Sequence, residues 1–410
     1  MQDRIFKKNF IWNMVGTTLN TFNSMFFMII ITRINGTEDA GVFTLIFSVA
    51  CLLYNIGIYA GRTFQVTDNT KKYNETEYFI NRLITVFVML VVGVLYCLFK
   101  KMDTYRFILV MLLTLMKALE ALADCLYGIM QKNEALYQSG ISLTVKALGS
   151  LIILMAINLI FKNIVFSFII VDLFCFLITI FYDFRCVKVY FSSSFSLKKS
   201  LTLLCSGFYA FAYFFLSIYL SNAPKYALDG YATSSEQALF SIILMPATLI
   251  SLCAVYLLQP YINRLSLYYA ENKVREFRKA MKVIALGIFC IGFVSFVGAT
   301  LLGIPVLNFI YNVDLSNYLR SLQIIIMGGT MYAITTVFST ALTTFRNTKI
   351  QFYIYLIVSI IILFGSRYLV TIFGVYGGAY IYVLSTILQL ILYYVAYYKN
   401  LRKWINNVEE

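Results

Sequence analysis

Residues 107–130 read FILVMLLTLMKALEALADCLYGIM. The stretch is long and apolar enough to be a helix crossing a bilayer whose hydrocarbon core is about 30 Å thick, yet it holds Lys117, Glu120 and Asp124. At about 100° per residue, those three side chains fall within an arc of about 60° on one helical face. Facing lipid, each would cost roughly 2.5–3.5 kcal/mol, together on the order of 8–10 kcal/mol, more than a marginally stable fold absorbs. The charged face must meet protein or water. Either the three groups neutralise one another inside a bundle, or they line a solvated cavity where they contact an anionic headgroup or take up a coupling proton.

The rest of the chain sets the context. Of 410 residues, 60% are hydrophobic, 17% aromatic and 13% charged, and apolar runs of about 20 residues recur from end to end. This is the composition of an all-α integral membrane protein. Twelve spans are predicted at roughly 11–32, 42–61, 83–99, 107–129, 140–161, 164–184, 201–222, 236–258, 281–302, 321–343, 350–372 and 375–397. The stretch MQDRIFKKNF leads into a full-length span, so no cleavable signal peptide is expected. Lys and Arg concentrate at the N-terminus, in the loops near 62–82, 185–200 and 259–280, and in the tail YYKNLRKWINNVEE. That bias places both termini in the cytoplasm.

Several kinds of chemistry are excluded. The chain has no histidine, which removes histidine general bases and histidine metal sites. Its eight cysteines lie singly with no CxxC pair and read as small packing residues. No phosphate-binding GxxxxGK[ST] loop is present, so active transport would draw on an ion gradient or another chain. No metal or cofactor is expected. The formal net charge of +14 fits topology and contact with lipid headgroups, and no basic stripe points to nucleic acid.

An internal repeat is visible. FKKNF (6–10) is echoed by LKKSL (197–201), and AGVFTLIFSVACLL (40–53) by QALFSIILMPATLI (237–250), each displaced by a little under 200 residues. Six spans per half is an even number, so the halves share one orientation, related by an axis along the membrane normal. Two parallel six-helix lobes, 1–190 and 191–410, around a central cavity are expected.

The run ITRINGTEDAGVFTLIFSVACLLYNIGIYAGRTFQVTD (31–68) contains Arg62-x-x-Gln65-x-x-Asp68. It is followed by the Glu120-x-x-x-Asp124 pair with YGIMQKNEALYQSGIS, by NAPKYALD (222–229), by MPATLI with a later QP, and by FIYNVDLSNYLRSLQIIIMGG (309–329). In this order and spacing, the chain resembles the flippases for capsular and O-antigen repeat units, of the multidrug/oligosaccharidyl-lipid/polysaccharide exporter superfamily, most of all their Gram-positive branch. The resemblance implies a non-enzymatic transporter in a bacterial cytoplasmic membrane. Its substrate would be an undecaprenyl-diphosphate-linked oligosaccharide, moved from the cytoplasmic to the outer leaflet by alternating access, with a polysaccharide polymerase as a possible partner.

For that cargo, the candidate cations are Lys117, Arg62, Arg33 and Lys225, because a desolvated diphosphate needs compensating charge. Asn222 can hydrogen-bond carbonyls freed where Pro224 is expected to break the helix. Glu120, Asp124 and Asp172 are candidates for a coupling ion, H+ or Na+. Arg62, Gln65 and Asp68 form a candidate gate at the cytoplasmic end of span 2, or a structural loop clamp. Two rivals are a multidrug/cation antiporter of the same superfamily, in which Glu120 and Asp124 would bind the drug, and a membrane glycosyltransferase or polymerase. The latter would be expected to carry a catalytic outer loop.

Overall fold

The computed structural model describes residues 2–59, 61–67, 73–192 and 196–409. Asp68 of the candidate gate lies outside them. The described residues form helices with short connections and no strand beyond one isolated bridge, as expected where lipid leaves the backbone to satisfy its own hydrogen bonds.

The long helices are α1 (Gln2–Ile34), α2 (Thr37–Ile58), α4 (Glu75–Phe99), α5 (Thr104–Lys132), α6 (Leu136–Phe161) and α7 (Ile164–Ile178), then α9 (Leu197–Leu228), α10 (Ser234–Ala270), α11 (Val274–Gly298), α13 (Leu319–Thr344), α14 (Thr348–Phe373) and α15 (Val375–Glu409). Short helices α3 (Gly61–Thr67), α8 (Arg185–Val187) and α12 (Ile304–Tyr311) lie between them. Ten helical segments among the described residues are long and apolar enough to cross a membrane, and α9, bent by 48°, makes eleven. The twelfth is α5, whose 29 residues suffice in length. It differs from the other spans in carrying three charges within its apolar stretch.

Polar side chains fix where helices begin. Asn74 accepts from the Glu77 backbone N–H at 2.8 Å while the Glu77 carboxylate accepts from the Asn74 N–H at 3.0 Å, a capping box at the start of α4. Thr233 and Glu236 do the same for α10. Three expectations are corrected. Within the loop near 62–82, the described residues Gly61–Thr67 and those from Glu75 onward are helical, which puts Arg82 inside α4. The loop near 259–280 shrinks to the link between Ala270 and Val274, with Pro260 inside α10. Hydropathy marks the bilayer, whereas a helix continues through charged residues until a cap ends it. Nor does α9 stop at Pro224. It runs on to Leu228 although Pro224 has no N–H to give to the Leu220 carbonyl.

The chain divides into two compact units, Met1–Phe215 and Leu216–Glu410, parting within α9. In the first, α5 packs against α2, α4, α6 and α7. In the second, α13 packs against α10, α11, α14 and α15. Numbered by span, six pairings recur: second with fourth, third with fourth, second with third, fourth with fifth, fourth with sixth, and fifth with sixth. The repeat seen in sequence is thus present in packing, and α5 and α13 are the equivalent hubs. The seventh span departs from it. The first half of α9 belongs to the first unit, where Ser200 O accepts from Asn81 at 2.9 Å and Phe211 stacks on Tyr59 at 4.5 Å.

Helices α1 and α6 approach most closely through glycine. A Cβ on Gly140 would overlap the backbone of Trp12, and one on Gly16 the carbonyl oxygen of Gly140. Phe27, Phe43 and Phe168 close the neighbouring core with centroid separations of 5.7–6.4 Å. Gly140→Ala should therefore cost about 1–3 kcal/mol through overpacking and lower the thermal midpoint in detergent. Gly365→Ala in α14, with open space around it, should leave the midpoint unchanged or raise it. Equal midpoints for the two variants would contradict this account of the α1–α6 contact.

Candidate functional site: a charged cavity in the N-terminal unit

Because α5 is the hub, most of its residues from Leu109 to Met130 are buried, and its charged face points into the first unit. That answers the question posed by residues 107–130. The three charges do not form one cluster. Lys117 donates to Glu120 at 2.8 Å, and its ammonium lies 4.9 Å from the Phe47 ring centroid and 5.6 Å from that of Tyr54. Asp124 turns the other way. Its Oδ1 accepts from Arg62 at 3.1 Å and its Oδ2 from Arg82 at 3.2 Å.

A polar network extends from Asp124. Arg62 also donates to Gln131 Oε1 at 3.0 Å, Gln65 donates to Glu75 at 2.8 Å, and Lys132 bridges to Glu75 at 2.6 Å. Short helix α3 is thereby strapped to α5 and to the start of α4. Gly128 makes room for the strap, since a Cβ there would strike the Gln65 amide. Arg82 additionally donates to Gly57 O at 3.1 Å, an oxygen that also accepts from Thr85 at 2.7 Å.

A second ion pair sits on α6 and α7. Beyond Ile178, α7 widens into a π-helical stretch over Thr179–Phe184, a feature that recurs at functional positions. It lets Thr179 and Asp183 both reach Lys146, at 2.8 and 2.6 Å. Tyr127 of α5, bonded to Ser142 at 2.8 Å, lies 3.3 Å from the same ammonium. Asp172, about two turns before Thr179 on α7, is buried, and neither carboxylate oxygen has a hydrogen-bond partner.

These groups surround two adjoining cavities inside the first unit. One, of about 180 Å³, is walled by Asn20, Tyr54, Arg62, Glu120, Asp124 and Lys146, among others. The other, of about 210 Å³, reaches Lys117, Phe47 and Cys51. Asn20, Thr21, Asn23, Met116 and Glu120 line both. The combination of hydrogen-bond donors, cations and acids suits a small charged or strongly hydrated group. No group of three or more potential metal ligands occurs among the described residues.

The remaining sequence candidates lie elsewhere. Arg33 is exposed in the last turn of α1. Asn222 and Lys225 belong to the second unit, where Asn222 donates back to Ile218 O at 3.1 Å within its own helix. Apart from these candidates, Arg367 in α14 donates to the Tyr231 hydroxyl at 2.8 Å. Sequence reasoning missed Arg82 as a partner of Asp124, and the Lys146–Asp183 pair. The Asn74–Glu77 capping box is the signal that places Arg82 inside a helix. For Asp183, no local signal announces the π-helical widening that aims it at Lys146.

No family model matches this chain. It is 24% identical over 408 residues to the capsular polysaccharide biosynthesis protein CapF of Staphylococcus aureus, covering 95% of this chain and 98% of that protein. Among solved structures, the lipid II flippase MurJ in an inward closed conformation is similar at TM-score 0.73 and 15% identity, covering 96% of this chain and 90% of MurJ. An inward-facing MATE-family multidrug resistance transporter of the MOP superfamily is similar at TM-score 0.70 and 10% identity, covering 96% and 99%.

Because Asp183 is fully buried, Lys146→Met should strand a carboxylate and cost roughly 3–5 kcal/mol. Thermal unfolding in detergent checks this, and the double variant Lys146→Met/Asp183→Asn should recover most of the loss. A single variant as stable as the double would show the pair to be dispensable. Taken together, the chain has the fold of MurJ and of the MATE-family transporter, and over nearly its whole length it is similar in sequence to a capsular polysaccharide biosynthesis protein.

Proposed function

We propose that this chain is a flippase that moves an undecaprenyl-diphosphate-linked oligosaccharide repeat unit from the cytoplasmic to the outer leaflet of a bacterial cytoplasmic membrane, by alternating access and for surface polysaccharide synthesis. Both termini are cytoplasmic in this reading, and no covalent bond is made or broken. A polymerase acting on the delivered unit is a natural partner. The reading rests on one observation above the others: the hub helix of an exporter fold carries its charges inward, onto a polar cavity, in a chain whose curated relative is a capsular polysaccharide biosynthesis protein.

The chemistry of the cargo fits those charges. Moving a diphosphate away from water requires cations that stay in place of its hydration shell, and the proposed contacts are Lys117, Arg62, Arg33 and Lys225, with Asn222 as a polar ligand. Glu120, Asp124 and Asp172 are the proposed responders to a coupling ion, H+ or Na+. Arg62, Gln65 and Asp68 are the proposed cytoplasmic gate, and the bonds from Arg62 to Asp124 and from Gln65 to Glu75 supply contacts that such a gate would open. A cation antiporter is the weaker reading. It would use Glu120 and Asp124 to hold a cationic drug, yet each already has a cation of the chain beside it.

Deleting the gene tests the proposal in the cell. Lipid-linked repeat units should accumulate on the cytoplasmic leaflet, measured by extraction and labelling, and surface polymer should disappear. Normal surface polymer in a strain without a second flippase would refute the assignment.

A further inference from the structure

Asp124 has two guanidinium partners, and they are not equivalent. The Arg82 side chain is 3% exposed, sits in the interior of α4 and is pinned a second time by Gly57 O. That of Arg62 is 30% exposed, belongs to the seven-residue helix α3 and forms part of the cavity wall. Each takes a different oxygen of the same carboxylate.

Charge matching around the cavity singles out one of them. Glu120 is matched by Lys117, Lys146 by Asp183, and Asp124 by Arg82. Among the described residues in these pairings, Arg62 is the cation in excess. If it were the sole partner of Asp124, drawing it away would leave a partly buried carboxylate unpaired, a costly state. Arg82 removes that obstacle, because Asp124 stays neutralised when Arg62 departs.

Building on the flippase reading, we propose that Arg62 is an exchangeable cation: it leaves Asp124 Oδ1 and Gln131 to pair with the diphosphate of the lipid-linked cargo, while Arg82 holds Asp124 in reserve. A guanidinium fork matches two oxygens of a phosphoryl group as well as it matches a carboxylate, so the exchange trades one charge-assisted pair for another. When the cargo departs, Asp124 reclaims Arg62 and the site resets. Arg82 is then a positioning residue. It never touches the cargo, and it sets how tightly Asp124 competes for Arg62.

Binding of undecaprenyl diphosphate to the purified full-length protein in detergent, followed by native mass spectrometry, tests this exchange. Arg62→Gln should weaken binding by about 10- to 100-fold, the loss of one charge-assisted contact. Asp124→Asn should act in the opposite direction and tighten it, since the competing carboxylate is gone. Arg82→Gln should weaken binding although it leaves Arg62 intact, because Asp124 then holds Arg62 alone, and Arg82→Gln/Asp124→Asn should restore it. If Arg82→Gln fails to accumulate, the opposed effects of Arg62→Gln and Asp124→Asn still decide. Affinity unmoved by Arg62→Gln, or weakened by both Arg62→Gln and Asp124→Asn, would overturn the exchange and leave the flippase reading standing. Wild-type protein that binds no undecaprenyl diphosphate would instead remove the flippase reading on which it rests.

Discussion

The carboxylate of Asp124, accepting one guanidinium on each oxygen, is the interaction on which the N-terminal unit turns. It joins α3, α4 and α5 at one point and sets the edge of the polar cavity. A lone acid at that depth would be costly, and so would either arginine without it. The neighbouring charges follow the same rule. Lys117 is settled by Glu120 and two aromatic faces, and Lys146 by Asp183, Thr179 and Tyr127. These charges sit in pairs around cavities of about 180 and 210 Å³, whereas the buried carboxylate of Asp172 has no hydrogen-bond partner.

The two hub helices show how a repeat diverges toward function. α5 and α13 hold the same place in their units and pack against equivalent neighbours. After Arg320 near its start, α13 carries no charged residue, while α5 carries three on one face. Equivalent packing with unequal charge shows that a hub helix can be packed without acids or a lysine. In α5, Asp124 instead bonds across to α3 and α4, and Glu120 and Asp124 border a polar cavity.

How much of this can be read from sequence depends on the range of the interaction. The helices are legible because lipid demands long apolar segments, and the repeat because FKKNF and LKKSL open equivalent spans. The inward direction of the α5 charges also follows from the helical angle and the cost of exposure. What escapes is pairing at a distance. Arg62 and Asp124 are 62 residues apart and Lys146 and Asp183 are 37 apart, and no local pattern says which cation finds which acid. Lys117, Glu120 and Asp124 share a helical face, yet Asp124 pairs across to other helices because Arg82 is carried inward by an α4 that starts at the Asn74 cap. Pro224 misleads for the opposite reason, since a local rule about proline yields to the surrounding helix.

The claim at the centre of this account is that the chain carries a lipid-linked sugar across a bilayer. Reconstitution into vesicles containing undecaprenyl-diphosphate-linked repeat units measures that directly, by the fraction of sugar reached by an impermeant oxidant added outside. Starting from vesicles whose outer-leaflet sugar has already been oxidised, active protein should expose fresh sugar over time, and empty vesicles should not. Sugar that stays protected, in vesicles where the same protein moves a cationic dye, would contradict the account and favour a drug antiporter.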